Sequence, residues 1–365
     1  MGYQATLRAA AATERRQQRD AKKRQRELER QSKEMAKLSA LEQARLEVDT
    51  FENNLEVLLS VHKEQTAPMD WIGILASLPL APPCKQSHHE LKMRRRLAIS
   101  PGWQNATAAI QQAQQKDEQN YQEALRMHAL EHSEWEKLST LARRVLVGEH
   151  EAYIEAINDL SPFAELANIG SSLHFTVHSG RIMECVLNTN GRKAIPAEVK
   201  SLTASGKVSV KPMSKARFVE IYQDYICGCV LRVAREIFGL LPVDTLIISA
   251  AAESLDTSTG QTLNRPFLSV VLRRDILKTL NFDMLDPSDS ILSFTHRGDL
   301  KASRKTGDFE VVAPLTLSDL PLDCHERTDL DGLLVSAQRM RADLAAQATA
   351  LNPQSEDITP TNGDT

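Results

Sequence analysis

Several features that would identify an enzyme class or a cellular compartment are missing from this chain of 365 residues. Neither GxxxxGK[ST] nor GxGxxG occurs, so the two common glycine-rich phosphate loops are excluded. The first residues, MGYQATLRAAAATERRQQ, contain no apolar stretch of a secretory signal, and no run approaches the ~18 apolar residues that span a bilayer. The 5 cysteines are odd in number and scattered, unlike a disulfide framework. These absences predict a cytoplasmic protein with reduced cysteines and no membrane partner.

Proline is also absent from two long stretches, which predicts two long helices. Residues 5–62 contain neither proline nor glycine and are rich in good helix formers, so residues 1–66 are assigned to one helix. An apolar seam with the spacing of a coiled coil occupies its second half: Leu41, Ala44, Val48, Phe51, Leu55 and Leu58. Residues 104–160 form the second predicted helix, with Gly148 as its weak point.

The prolines concentrate between these two helices. Residues 67–103 contain Pro68, Pro79, Pro82, Pro83 and Pro101, which forbid one continuous helix and predict a non-helical cap. The two helices then form an antiparallel coiled-coil hairpin with arms of roughly 80 Å. Because so thin a hairpin cannot bury its own surface, it predicts self-association or an unknown protein partner.

The second half of the chain has the pattern of a compact α+β domain over residues 161–325. Short apolar strands separated by turns flank one broad helical stripe from Ser214 to Leu241. This order predicts a mixed or antiparallel sheet around one long buried helix. Residues 326–351 are assigned to a C-terminal helix and residues 352–365 to a disordered acidic tail.

Part of this domain resembles a known group of sequences. The segments YQDYICGCVLRVAREIFGLLPVDTLIISA, STGQTL, LSVVL and NFDMLDPSDS are similar to those of an uncharacterised group of bacterial proteins with coiled-coil N-termini. The resemblance covers roughly residues 170–315 and contains no catalytic signature. It implies a two-part architecture and a bacterial, cytosolic origin, and it implies no activity.

One tripeptide, Glu198-Val-Lys200, has the form found on the active-site strand of many metal-dependent nucleases. On a strand the two charged side chains share a face, and Glu184 on the preceding strand could complete a Mg²⁺ site. The aspartate that such a site normally contains is missing, and Glu90-Leu-Lys92 has the same form elsewhere in the chain. The sequence therefore favours a polar hairpin edge, with a nuclease of restriction-endonuclease type as the alternative.

Other reactive side chains form no recognisable motif. Cys84, His88 and His89 lack a second ligand pair at a zinc spacing. Cys227 and Cys229 diverge on a helix, because residues two apart do not face each other. The remaining histidines considered for a hydrolytic triad have no marked nucleophile: His174, His178 and His296. These residues are interpreted as core or surface positions.

The N-terminal helix is strongly basic. Residues 1–37 contain 11 Lys or Arg and 5 Asp or Glu, an excess of 11 − 5 = 6 positive charges. The candidate nucleic-acid contacts are Arg15, Arg16, Arg19, Lys22, Lys23, Arg24 and Arg26. The sequence as a whole predicts a non-enzymatic assembly or interaction protein without a cofactor. The alternative is the Mg²⁺-dependent nuclease, with the basic helix as its nucleic-acid arm.

Overall fold

The structure is a computed structural model that describes residues 30–99 apart from 31, 34, 36 and 37, then 106–160, 163, 171–189, 191–255, 259–301, 309–321 and 329–351. Its helices are α1 (38–60), α2 (Trp71–Ala76), α3 (His88–Ile99), α4 (Ala106–Leu146), α5 (His150–Leu160), α6 (Lys215–Leu240), α7 (Arg274–Leu277), α8 (Pro287–Ile291) and α9 (Leu330–Leu351). Its strands are β1 (Ser172–Ser179), β2 (Ile182–Asn188), β3 (Glu198–Leu202), β4 (Val208–Pro212), β5 (Thr245–Leu255), β6 (Thr262–Arg273) and β7 (Thr295–Arg297). The predicted α+β class is confirmed.

The strands form two separate sheets. A five-stranded sheet has the order β1-β2-β5-β6-β7, and in it β2 and β5 run parallel while the other neighbours are antiparallel. A parallel pair needs a long crossover, which β3, β4 and α6 supply between β2 and β5. Strands β3 and β4 pair only with each other among the described residues. The large sheet is therefore mixed, and the small hairpin lies outside it.

Helix α6 is the centre of the hydrophobic core, as the broad apolar stripe of its sequence predicts. Ser214 caps its first turn by accepting a hydrogen bond from the Arg217 amide. Tyr225, Ile226, Val230, Val233 and Ile237 are fully buried along the helix. They share one cluster with alternate residues of the sheet, namely Met183, Cys185, Leu187, Leu246, Ile248, Leu268 and Val270. The same cluster includes residues of α1, α2, α4 and α5, so the predicted boundary at residue 161 is not an edge of the core. The division into domains stays a prediction.

The segment that follows α1 is bound across α6 by polar contacts. The Met69 amide donates to the Gly239 carbonyl at 3.0 Å, and the Trp71 indole donates to the Leu240 carbonyl at 2.5 Å. At the centre of this contact Glu236, 2% exposed, accepts from Arg232 at 2.8 Å and from the Thr66 amide at 2.9 Å. The end of α1 is therefore fixed to the central helix of the α+β part.

The apolar seam of α1 faces the same chain. Ala44, Val48 and Leu55 are buried, whereas Leu46 and Val57 on the other side of the helix are exposed. The described contacts of this helix run to the β3–β4 hairpin and, just beyond its end, to α6. The predicted coiled-coil hairpin of α1 with α4 therefore stays a prediction. Self-association through this seam would have to compete with contacts that the chain makes to itself.

Two predictions about the helical part are wrong in detail. The proline-rich connection is not free of helix, because α2 and α3 form between its prolines. The second long helix does not run unbroken to residue 160, because α4 ends at Leu146 and α5 begins at His150. Gly148 between them has a φ of +77°, and an added Cβ there would lie 3.0 Å from the Gly180 Cα. A glycine is thus required at the break by both the backbone conformation and the close approach of a turn.

Candidate functional site

The predicted nuclease residues lie on different sheets. Glu184 is on β2, where Thr176 of β1 and Ile247 of β5 are its neighbours. Its carboxylate is half-buried and lies 3.0 Å from His178 Nε2. Glu198 and Lys200 are on β3, which pairs with β4 rather than with β2. The expectation that the strand of Glu198 lies beside the strand of Glu184 is therefore wrong.

Lys200 has a structural partner instead of a catalytic one. Its ammonium group lies 2.7 Å from the Glu47 carboxylate, which links the β3–β4 hairpin to α1. Glu198 is exposed, while the assigned partners of Glu184 and Lys200 are His178 and Glu47. Within the described residues, no group of three or more His, Cys, Asp or Glu side chains has the arrangement of a metal site. The nuclease with its Mg²⁺ site stays a prediction, without a geometric observation in its favour.

The other candidate residues are also separated or structural. Cys84 is exposed and its thiol is free, while His89 is part of a helix that begins four residues later. Cys227 and Cys229 are buried in α6, and desolvation raises the pKa of Cys229 to about 12. His296 Nδ1 lies 2.9 Å from the Phe294 carbonyl. The basic residues from Arg15 to Arg26 lie outside the described residues.

A positively charged surface lies where sequence reasoning expected a non-helical cap. Helix α3 has the sequence HHELKMRRRLAI, and none of its residues is buried. It packs against the N-terminal half of α4, where its first turn lies beside Gln114 and Asp117. Because α3 carries a run of cations and none of its residues is buried, the α3–α4 pair is the candidate site.

The start of α3 is capped by a side chain of α4. Both oxygens of the Asp117 carboxylate accept backbone hydrogen bonds, from the His89 and Glu90 amides, each at 2.9 Å. Burial raises the pKa of Asp117, but these two hydrogen bonds outweigh that effect and hold the pKa below its usual value. The carboxylate satisfies amides that a helix leaves unpaired at its first turn. It therefore fixes α3 on α4 at a defined register.

Between the two helices runs a groove of about 510 Å³, called here the α3–α4 groove. Its floor contains Met93, Ala109 and Ala113, which are half-buried or buried. Its rims contain the exposed cations Lys92 and Arg96 on α3 and Lys116 on α4, together with the glutamines Gln112, Gln115 and Gln119. None of the described residues that line the groove is acidic. The groove thus combines an apolar floor with two basic rims.

The nearby carboxylates are engaged in contacts of their own. Glu90 lies 2.8 Å from Arg94 and also accepts from Gln114, and these hydrogen bonds lower its pKa. Glu118 pairs with Lys85, which likewise lowers the pKa of the carboxyl group. Asp117 is occupied by the α3 amides. The assigned partners of these three carboxylates are thus groups other than Lys92 and Lys116.

Comparison of the chain with protein-family models, with curated proteins and with solved structures gives no match. Among the described helices, none is at once long enough and apolar enough to cross a membrane.

The cap by Asp117 predicts a local effect on α3. In Asp117→Ala, the amides of His89 and Glu90 lose their acceptor, so their hydrogen exchange is expected to become faster by on the order of tenfold. Glu123→Ala, which removes an exposed carboxylate from the same helix, should leave this exchange unchanged. Hydrogen exchange followed by mass spectrometry of fragments covering α3 measures both variants. Equal exchange rates in the two variants would contradict the assigned cap.

Proposed function

We propose that the protein is a non-enzymatic interaction protein that binds an acidic amphipathic helix of a protein partner in the α3–α4 groove. The observation that carries this proposal is the pairing of an apolar floor with cationic rims on both sides. In this proposal the partner binds to the α3–α4 pair, whereas the sequence predicted that it binds to a coiled-coil hairpin of α1 and α4.

The charge of the groove favours an acidic partner. Lys92 and Arg96 are one helical turn apart on α3, so their side chains lie along one rim. Lys116 stands on the opposite rim, on α4. A helix with carboxylates along both edges of an apolar stripe would place those carboxylates next to cations on both sides. Such complementary charge speeds association and selects against basic partners.

The floor of the groove favours a helix over a nucleic acid. Met93 is a flexible side chain that adapts to apolar partners, and the alanines allow a close approach of another backbone. Apolar anchors at helical spacing bind such grooves in known helix-in-groove complexes. Single-stranded nucleic acid is bound instead on several aromatic side chains, whereas the described lining of this groove contains one aromatic ring, His89, and no Phe, Tyr or Trp. The nucleic-acid contact predicted for Arg15 to Arg26 is a separate prediction.

Compartment and self-association belong to the same proposal. Cys84, Cys185, Cys227 and Cys229 carry free thiols, which supports a reducing compartment such as the cytoplasm. Exposed apolar side chains on this helix pair, among them Leu91, Ile99, Met127 and Leu130, give the proposed partner additional surface to cover. A second copy of the chain could offer such surface, and the oligomeric state is therefore measured alongside binding.

A titration with a designed peptide tests the proposal. The probe is a labelled peptide of about 18 residues with leucines at positions i, i+3, i+4 and i+7 and glutamates elsewhere. It is expected to bind the intact chain, and the double variant Lys92→Glu/Lys116→Glu is expected to weaken binding at least about tenfold. Lys137→Glu is the matched control, because Lys137 is exposed on α4 but outside the groove. Raised salt should weaken the wild-type complex.

Two results would contradict the proposal. One is equal binding of a peptide in which glutamine replaces every glutamate, because the cations would then have no role. The other is binding of a DNA duplex that is weakened by the Lys92→Glu/Lys116→Glu substitutions, together with no binding of the acidic peptide. In that case the surface is a nucleic-acid interface.

A further inference from the structure

A second concave space, far smaller than the groove and open to solvent on one side, lies at the end of the large sheet. It has a volume of about 120 Å³ and is lined by the end of β5, the start of β6, α6 and the short 3₁₀ helix Gly191–Ala194. We call it the Tyr222 cavity, after the α6 residue in its wall. A volume of this order holds several waters or one ring-sized ligand.

The apolar wall of the Tyr222 cavity is a cluster of aromatic rings. The rings of Tyr222 and Phe309 are stacked, with centroids 4.7 Å apart and planes at 9°. Phe267 completes the cluster, 5.4 Å from Phe309 and 6.3 Å from Tyr222. All three residues are buried. Rings packed in this way form a rigid apolar wall against which the ring of a ligand can pack.

Phe267 reaches this wall because β6 contains a β-bulge. Leu268 pairs with Ala250 and Pro266 pairs with Ala251, so Phe267 is the extra residue of β6. Gly298 approaches the bulge so closely that an added Cβ would lie 2.3 Å from the Phe267 carbonyl oxygen. Bulges redirect a side chain from the ordinary alternation of a strand and occur preferentially beside binding sites. Here the bulge places a ring in the cavity wall.

The polar wall is mostly cationic. Arg192, Lys193 and Arg265 line the cavity, and Glu253 is the one carboxylate among its described lining residues. The Lys193 ammonium group lies 3.2 Å from that carboxylate. Arg192 also stacks on Phe218, with its guanidinium carbon 5.0 Å from the ring centroid. Arg192 and Arg265 both have partners within the protein. A guanidinium has five N–H donors and can bind more than one group at a time.

We infer that the Tyr222 cavity binds a small planar organic anion, of the size of an aromatic monocarboxylate. The ring of such a ligand would lie against the aromatic wall, and its carboxylate would accept hydrogen bonds from Arg192 and Arg265. Arginine is suited to this role because its planar fork matches a carboxylate. This inference does not depend on what binds the α3–α4 groove.

Titration of the full chain with benzoate tests the inference, and benzamide serves as the uncharged ligand of the same shape. Benzoate is expected to bind with a dissociation constant of about 1 mM or lower, and benzamide at least about tenfold more weakly. Arg265→Met should weaken benzoate binding about tenfold. Lys207→Met, which removes an exposed cation outside the cavity, should change it less than about twofold.

A second variant keeps the test decisive if Arg265→Met fails to fold. Val311 lines the cavity but is 45% exposed, so Val311→Phe can fill the space without disturbing the core. It is expected to weaken benzoate binding at least about tenfold, because the ring would occupy the ligand volume. The inference is wrong if benzoate does not bind at about 10 mM, if benzamide binds equally well, or if Val311→Phe binds benzoate like the wild type.

Discussion

Replacement of Leu55 by aspartate is expected to lower the free energy of unfolding by about 3–5 kcal/mol. Leu55 is 8% exposed and belongs to the main hydrophobic cluster, so the variant loses apolar burial and places a charge in the core. Val57→Asp is the matched control on the same helix, because Val57 is 56% exposed. The control should change the free energy by no more than about 0.5 kcal/mol. Chemical denaturation of the two variants measures the difference.

This pair of variants also separates two accounts of the α1 seam. If the seam packs on its own chain, Leu55→Asp destabilises the protein at every concentration, and the mass of the native chain measured by light scattering does not depend on this residue. If the seam instead joins two copies, Leu55→Asp lowers the mass and leaves the single chain stable. The second result would contradict the packing of α1 and support the predicted self-association.

Removal of the Glu236 carboxylate is the second large expected effect. Glu236→Ala should lower the free energy of unfolding by about 3 kcal/mol, because it takes the buried carboxylate away from Arg232 and the acceptor away from the Thr66 amide. Lys200→Ala breaks an ion pair whose two side chains are 33% and 50% exposed. Its cost should be at most about 1 kcal/mol. If denaturant titrations show a similar loss of unfolding free energy for the two variants, the contact of Glu236 with the segment after α1 does not stabilise the fold as predicted.

Local pattern was sufficient for most elements of the fold. The stripe of α6 predicts a helix buried along much of its surface, and the structure has that helix from Lys215 to Leu240. The break between helices α4 and α5 at Gly148 is also indicated by the sequence. In each case the residues that determine the structure are close together in the chain, so the local sequence pattern is enough to predict it.

Contacts between distant segments were not predictable in this way. The period of the α1 seam shows that one face is buried, but it does not show that the face packs on the same chain. Likewise, Glu198-Val-Lys200 predicts a strand but not its neighbour, which is β4 rather than β2. A strand pattern does not specify its neighbours, and the proposed carboxylate pair depended on that neighbour.

The candidate surface was missed for a related reason. The prolines correctly forbid one long helix, but Pro83 and Pro101 lie on either side of α3 and leave it intact. Its cap comes from Asp117, which is 28 residues after His89 in the chain and about three turns into α4. The signal available in the sequence was the run Lys92 to Arg96, in which four of five residues are basic.

Reversal of the charges of the α3–α4 groove and of its peptide ligand tests the proposed function most directly. The Lys92→Glu/Lys116→Glu chain is titrated with the acidic peptide and with a second peptide in which lysine replaces every glutamate. The proposed function predicts that this variant loses affinity for the acidic peptide and gains affinity for the basic one, each by about tenfold or more, while Lys137→Glu behaves like the wild type. If the variant and the wild type bind both peptides equally, the groove is not the binding surface and the proposed function is wrong.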